Sequence, residues 1–360
     1  MSSTLKSLIK AAKQGKSLID QSGGFDLEQP ELITYKLWDP FRQALKGQQD
    51  NIVALDVDEV KMRDIDVRGT IGGTDYRLSH AAFGDLCNFG KMPSRFVKDL
   101  AKFDEQLALD VVSSCIAHTF NRGTKKMLVI DTRCNRVEGI VSQDTYKQMP
   151  NLEVIEYGMS ADKDLAFGQG WTCGAHMRMT AVNEIKPVQP KKGDIVRLGM
   201  SMEAAVNGDH SVRVATYCER LVCINGMTRK DGDSYHAVPH LGDVHINVGK
   251  AVVQCAAKAQ EFAPMMSYAA KRDLGPEDIK AVLEFISNTR YGGNETIKRR
   301  VIALAQNEAL GEGRDNCHLT LWNFVNGITA CAHEAKSIQR KVEVENLGFR
   351  LLDAFQASDN

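Results

Sequence analysis

The feature that most constrains this chain is a change in hydrophobic period near residue 247. Upstream, from Phe167 to Met227, the sequence runs in short β-like segments: His176 to Val182, Ile195 to Met200, Val212 to Tyr217 and Leu221 to Ile224. Lys192-Gly193-Asp194 and Asn207-Gly208-Asp209 read as the turns between them, and Asn225-Gly226 is the strongest turn dipeptide of the chain. Downstream, Val248, Val252, Cys255, Ala259 and Phe262 step by the spacing of one helical face. Pro276 opens a further helix carrying Ile279, Val282, Leu283 and Ile286; Asn294 can cap a third, and a fourth spans about 319–340. Strands followed by helices predict an α+β fold.

The N-terminal half mixes both periods. Residues 1–20 read as a helix with Leu5, Leu8, Ile9 and Ala12 on one face and lysines opposite, closed by Gly23-Gly24. Val53, Leu55 and Val57 alternate as a strand, and Met62, Ile65 and Val67 lead to a turn at Gly72-Gly73. Ser79 caps a helix ending near Gly90, and Pro93 starts the next. That helix carries Phe96, Leu100, Phe103, Leu107 and Val111 at spacings of 4, 3, 4 and 4, an apolar stripe. Met127 to Ile130 and Val137 to Val141 flank Arg133-Cys134-Asn135-Arg136 as a hairpin. The expected division is an arm and lead-in at 1–50, a mixed α/β core with antiparallel strands at 51–247, and a helical region at 248–360 packed on it.

Composition narrows the function. The hydrophobic fraction of 43% can build a large core. A net charge of −1 argues against coating duplex DNA by bulk charge, so any nucleic-acid binding must use a local patch. Nine scattered cysteines without a CxxC pair argue against a disulfide framework or zinc ribbon and point to a reducing, cytoplasmic setting. Lysines interrupt the N-terminus where a signal peptide would be apolar, and no run approaches a membrane span. No Walker A, GxGxxG or GxSxG sequence is present, and no cofactor is expected.

Three constellations carry chemistry. Trp322, Asn326, Thr329 and His333 fall in one line of the expected 319–340 helix, an uncharged face that could read a planar ligand such as a base. Arg220 to Met227 reads as a strand running into the Asn225-Gly226 turn, where Arg220 can reach a phosphate or carboxylate. Basic residues gather at Arg122, Lys125, Lys126, Arg133 and Arg136, at Lys191-Lys192, and at Lys298, Arg299 and Arg300; together they could line a positive groove. His236 and His240 have metal-pair spacing, but Pro239 lies between them and breaks the helix such a pair needs.

Several segments resemble the phage/plasmid-like protein family, a family of unknown function. They are Tyr76-Arg77-Leu78-Ser79-His80-Ala81-Ala82 with Met92-Pro93, Ile140-Val141-Ser142 with Thr145-Tyr146, Gly193-Asp194, Arg220-Leu221-Val222-Cys223 with Asn225-Gly226-Met227, and Leu321-Trp322 with Asn326-Gly327 and Thr329. Where the family pattern has Asn-Ala, this chain has Asn326-Gly327. Near the end of that helix it has His333-Glu334 in place of Asp-His. The resemblance implies phages, conjugative plasmids and mobile islands, near genes for single-strand DNA handling or evasion of host defence.

The leading expectation is a non-enzymatic protein binding nucleic acid, single-stranded DNA above all, in annealing, recombination or replication, with a second copy of the chain as a further expected partner in a homo-oligomer. A rival is a host-defence antagonist that binds a host protein or a signalling nucleotide on the same uncharged face. A third is an enzyme built on His333, Glu334, Arg220 and Cys223. The readings turn on whether the 220–227 turn meets the 322–333 face in space.

Overall fold

The computed structural model describes residues 31–57, 60–64, 68–71, 74–120, 126–221, 225–230, 232–288, 295–313, 318–335 and 337–359. The expected 1–20 helix, the glycine pairs at 23–24, 72–73 and 292–293, Asn294, Arg122, Lys125 and Cys223 lie outside the described residues.

In chain order the elements are β1 (Ile33–Tyr35), α1 (Trp38–Asn51), β2 (Ile52–Val57), β3 (Val60–Asp64), β4 (Arg68–Ile71), β5 (Thr74–Leu78), α2 (His80–Phe89), α3 (Ser94–Phe103), α4 (Glu105–Phe120), β6 (Lys126–Asp131) and β7 (Arg136–Ser142). Then come α5 (Asn151–Ala161), β8 (Leu165–Cys173), β9 (His176–Asn183), β10 (Val196–Ala205), β11 (Val212–Arg220), β12 (Asn225–Arg229) and β13 (Tyr235–Val238). The last run is α6 (Val244–Lys258), α7 (Phe262–Lys271), α8 (Pro276–Ser287), α9 (Glu295–Gly311), α10 (Leu321–Ala330) and α11 (Ile338–Asp359). The fold is α+β, with an antiparallel sheet in the middle of the chain and helices at the C-terminal end. No helix of the described residues is long and apolar enough to cross a membrane.

Two sheets organise the chain. The first has the order β2-β6-β7-β5-β4-β3, antiparallel except for β5 beside β7. Helices α2, α3 and α4 cover it with Phe83, Leu86, Val97, Ala101, Ala108, Val112 and Ile116. The second has the order β1-β8-β9-β10-β11-β12, with β13 also on β11. The expected hairpin forms as β6 and β7, and Ser79 caps α2 by accepting from the Ala82 amide. Gly193 and Gly208 take φ of 82° and 77°, the left-handed geometry their turns require.

The second sheet has two unlike faces, as its period-two alternation dictates. Met177, Met179, Met200, Met202, Val212 and Val214 form an apolar face with α5 and α6. At the far end of the same face, Val196, Leu198, Cys218 and Met227 join a core with α7 to α11. The opposite face carries Arg178, Ser201, Glu203, Tyr217, Glu219 and Thr228, all buried. Arg178 on β9 reaches Thr228 on β12 at 3.2 Å, across two intervening strands. Strands lie about 4.8 Å apart, so the sheet must be strongly curled. Helix α11 lies against both β8 and β12 and inserts Glu345 into the curl. Arg178 grips that carboxylate with both terminal nitrogens, and the Thr228 hydroxyl donates to it at 2.8 Å. Burial pushes Glu345 up, but Arg178 and Lys341 outweigh it and hold the carboxyl below its ordinary range.

Three expectations are corrected. The Asn225-Gly226 dipeptide is not the turn: β11 ends at Arg220, and Asn225 and Gly226 already pair with Arg220 and Glu219 in the sheet. Gly226 is needed in the strand because the Tyr217 ring lies against it, with Cε2 2.5 Å from where a Cβ would stand. The 319–340 helix is two helices. It stops at Ala330, a 3-10 turn covers Cys331–Glu334, and α11 starts at Ile338. The Phe96-to-Val111 stripe is also interrupted, because the Asp104 carboxylate accepts from the Leu107 amide and starts a new helix. Smaller residues take the core side, and Phe96, Phe103 and Leu107 are left outside.

Candidate functional site

Two distant sequence segments do meet. Asp194 follows Gly193 in the turn before β10, and its carboxylate lies between β11 and α10. Its Oδ1 accepts from Arg220 Nε at 2.5 Å, and its Oδ2 accepts from Trp322 Nε1 at 2.7 Å. Arg220 also places Nη1 2.6 Å from Glu308 Oε1 on α9. Asn326 Nδ2 donates to the same Glu308 oxygen at 2.9 Å. Lys191 closes the cluster, with Nζ 3.7 Å from Glu308, 3.9 Å from Asp194 and in direct contact with Glu312. Asn323 donates to Glu312 at 2.9 Å, and Thr320 caps α10 through Asn323.

This centre faces inward. Arg220 is 6% exposed, Trp322 2%, Asn326 3% and Thr329 2%. Thr329 donates to the Val325 and Asn326 carbonyls of its own helix. The expected open groove on this face is therefore corrected: a buried arginine and three carboxylates need partners, and the uncharged groups of α10 supply them. Burial pushes the Glu308 carboxyl up to about 7 despite the cations Arg220 and Lys191 beside it. Gly327 permits the geometry, since a Cβ there would stand 2.8 Å from the Val301 carbonyl of α9. His333 is not in this line. It is exposed in the 3-10 turn, next to Glu334, which pairs with Arg300 of α9. Asn225 lies opposite Arg220 in the sheet register.

The predicted basic residues divide between layers. Arg299 and Arg300 are exposed on α9. Lys126, Arg133 and Arg136 belong to the β6–β7 hairpin of the other sheet. Lys126 Nζ sits 4.9 Å from the Phe89 ring centroid. Arg133 binds Asp131 at 2.6 Å, and Arg136 binds Glu138 at 2.5 Å. Asp131, Cys134 and Glu138 bring one ligand atom each within 4.8 Å of one another, the metal-like group found among the described residues. Both carboxylates are already held by arginines, so a cation would have to displace those pairs.

The surface that sequence reasoning missed is on α3. Phe96 is 52% exposed and Phe103 85%, seven residues and roughly 10 Å apart along the helix. Lys91, Arg95 and Lys102 are exposed beside them. Residues 91–103 hold four cations and one carboxylate, in a chain with a net charge of −1. That carboxylate, Asp99, pairs with Lys102 at 2.6 Å and with Arg95 at 3.8 Å. Lys98 is turned inward over the Phe83 ring. The readable signal was the run of four basic residues at 91, 95, 98 and 102 against the single carboxylate of Asp99.

A curled antiparallel sheet, backed by helices and locked by a buried ionic centre, defines an α+β class of protein. The chain belongs to the family described as Domain of unknown function (DUF932), whose model matches residues 141–354. The match takes in Asp194, Arg220, Glu308, Trp322 and Glu345 and leaves α2 to α4 outside it. No curated protein and no solved structure matches the chain.

Proposed function

We propose that this protein binds nucleic acid, single strands in preference to duplex, through the outer face of α3. The observation that carries the reading is the pair of exposed rings, Phe96 and Phe103, flanked by Lys91, Arg95 and Lys102. Rings stack on bases of any sequence, and the cations follow the phosphate backbone. A near-neutral protein needs such a local patch because its overall field does not attract polyanions. In this reading the Asp194–Arg220–Trp322 centre does not touch the strand; it holds the fold together. In the mobile-element setting that the sequence resemblance implies, the activity would serve annealing or recombination of phage or plasmid DNA.

The test is an anisotropy titration with labelled single-stranded DNA, single-stranded RNA and duplex of the same sequence. Single strands should bind at micromolar protein. Three phosphate contacts give a log–log salt slope of about −2. Absence of salt-sensitive binding overturns the reading.

A further inference from the structure

The concave face of the second sheet holds donors that the fold does not use. In its middle, Ser201 on β10 stands opposite Ala215 on β11, two small side chains facing each other across a strand pair. Longer polar groups on the same face surround them. Glu203 and Arg213 are the next opposed pair, Arg178 lies opposite Glu203 on β9, and Tyr235 on β13 lies opposite Ala215. Lys230 reaches in from just past β12, with Nζ 3.2 Å from Glu203 and 5.9 Å from the Tyr235 ring centroid. Small side chains ringed by long ones form a recess over Ser201.

Three of these groups are unspent. Ser201 and Arg178 are 1% and 0% exposed, and neither the Ser201 hydroxyl nor Arg178 Nε has a hydrogen-bond partner. A buried donor without a partner is costly. Arg213 faces Glu203 in the register yet makes no ion pair with it; among the described residues its guanidinium bonds to nothing. Ser201 is its diagonal neighbour, at a separation of about 7–8 Å that a long side chain spans. Arg213, Lys230 and Tyr235 are each half-buried, so this side of the recess meets water.

The charges give the class of ligand. Inside the curl, the cations Arg178, Arg213, Lys230 and Lys341 outnumber the carboxylates Glu203 and Glu345, while Arg197 and Glu219 cancel as a pair. At the outer rim Asp209 lies 3.4 Å from His176. A positive surplus with unspent N–H and O–H donors matches a compact dianion rich in acceptor oxygens. We propose that the concave face of the curled sheet binds a phosphate group, with Arg213 as its bidentate partner and Ser201, Arg178 Nε and Lys230 as further donors. The proposal is independent of the α3 reading, which concerns the other sheet's helices.

Calorimetric titration of the full chain with sodium phosphate tests it. The expected dissociation constant is below about 1 mM. Adenosine monophosphate, titrated alongside, separates a phosphoester from free phosphate by which of the two binds tighter. Arg213→Gln should weaken phosphate binding at least about tenfold with an unchanged circular dichroism spectrum. Ser201→Ala should weaken it about threefold, yet leave the protein without phosphate at least as stable as the wild type, because the hydroxyl it removes has no partner to lose. Lys280→Gln, which removes an exposed cation of α8, should change nothing. Should Arg213→Gln not fold, Ser201→Ala decides. Absence of saturable phosphate binding in the millimolar range overturns the proposal. So does acetate binding as tightly as phosphate, or phosphate binding indifferent to the Arg213 and Ser201 changes.

Discussion

Arg220 and Trp322 donate to the two different oxygens of a single carboxylate, that of Asp194. This ties the end of β11, the turn before β10 and the start of α10 into one unit. Glu308 extends it to α9. The arrangement is a buried charge network with its polar groups satisfied by protein, and it answers to rules of stability rather than of recognition.

Asp194→Ala should therefore be among the costliest single changes in the chain. It strips a nearly buried guanidinium of one partner and leaves the Trp322 indole without an acceptor. The expected loss is about 3–5 kcal/mol, read from urea unfolding. Trp322→Phe keeps the ion pair and should cost less than Asp194→Ala.

The second prediction concerns pH. The Glu308 carboxyl is raised to about 7 from an ordinary 4.5, so the folded state holds its proton where the unfolded state has released it. Its contribution is complete below pH 4.5 and is lost as pH rises through about 7. The loss should be on the order of 1–3 kcal/mol, discounted for partial exposure. Asp85, pushed up to about 6 by burial, adds a change of the same sign, and His210, pushed down to about 4, one of the opposite sign. The difference between wild type and Glu308→Gln across pH 4 to 8 isolates the one group. A flat difference contradicts the assignment.

Gly327→Ala tests the close approach of α9 and α10. The added methyl would meet the Val301 carbonyl at 2.8 Å, and the backbone there cannot turn aside as a flexible side chain could. A loss of about 1–3 kcal/mol is expected in thermal or urea unfolding.

The Arg178–Glu345 pair gives a separable prediction. Glu345→Ala leaves Arg178 fully buried beside Trp171 and Tyr217 without its counter-ion, for a loss of about 3–5 kcal/mol. Because α11 is the element that enters the curl, hydrogen exchange should quicken first in α11 and β12.

Much of the fold was legible in the sequence, and the reasons are local. The β6–β7 hairpin, the Ser79 cap, the Gly193 and Gly208 turns and the apolar faces of α6 and α8 each follow from residues close in sequence. What could not be read was decided by distant partners. Gly226 looks like a turn residue until the Tyr217 ring is placed on it. The uncharged line at Trp322, Asn326 and Thr329 suggests an open groove until Asp194 and Glu308 are seen to use its donors. Phe96 and Phe103 look like core residues because they keep a helical period, but Asp104 ends the helix and Val97 and Ala101 take the core side. The two segments singled out from sequence do converge; their convergence makes a keystone, and the candidate binding surface is elsewhere.

The most direct test of the account compares two variants in one titration with labelled single-stranded DNA. Phe96→Ala combined with Phe103→Ala removes the exposed rings without touching the core, and should weaken binding by at least tenfold, at about 1–3 kcal/mol per stacked base. Trp322→Phe, assayed while folded, should bind as the wild type does. The reverse pattern, with binding lost in Trp322→Phe and kept in the double phenylalanine variant, would contradict the placement of the strand on α3.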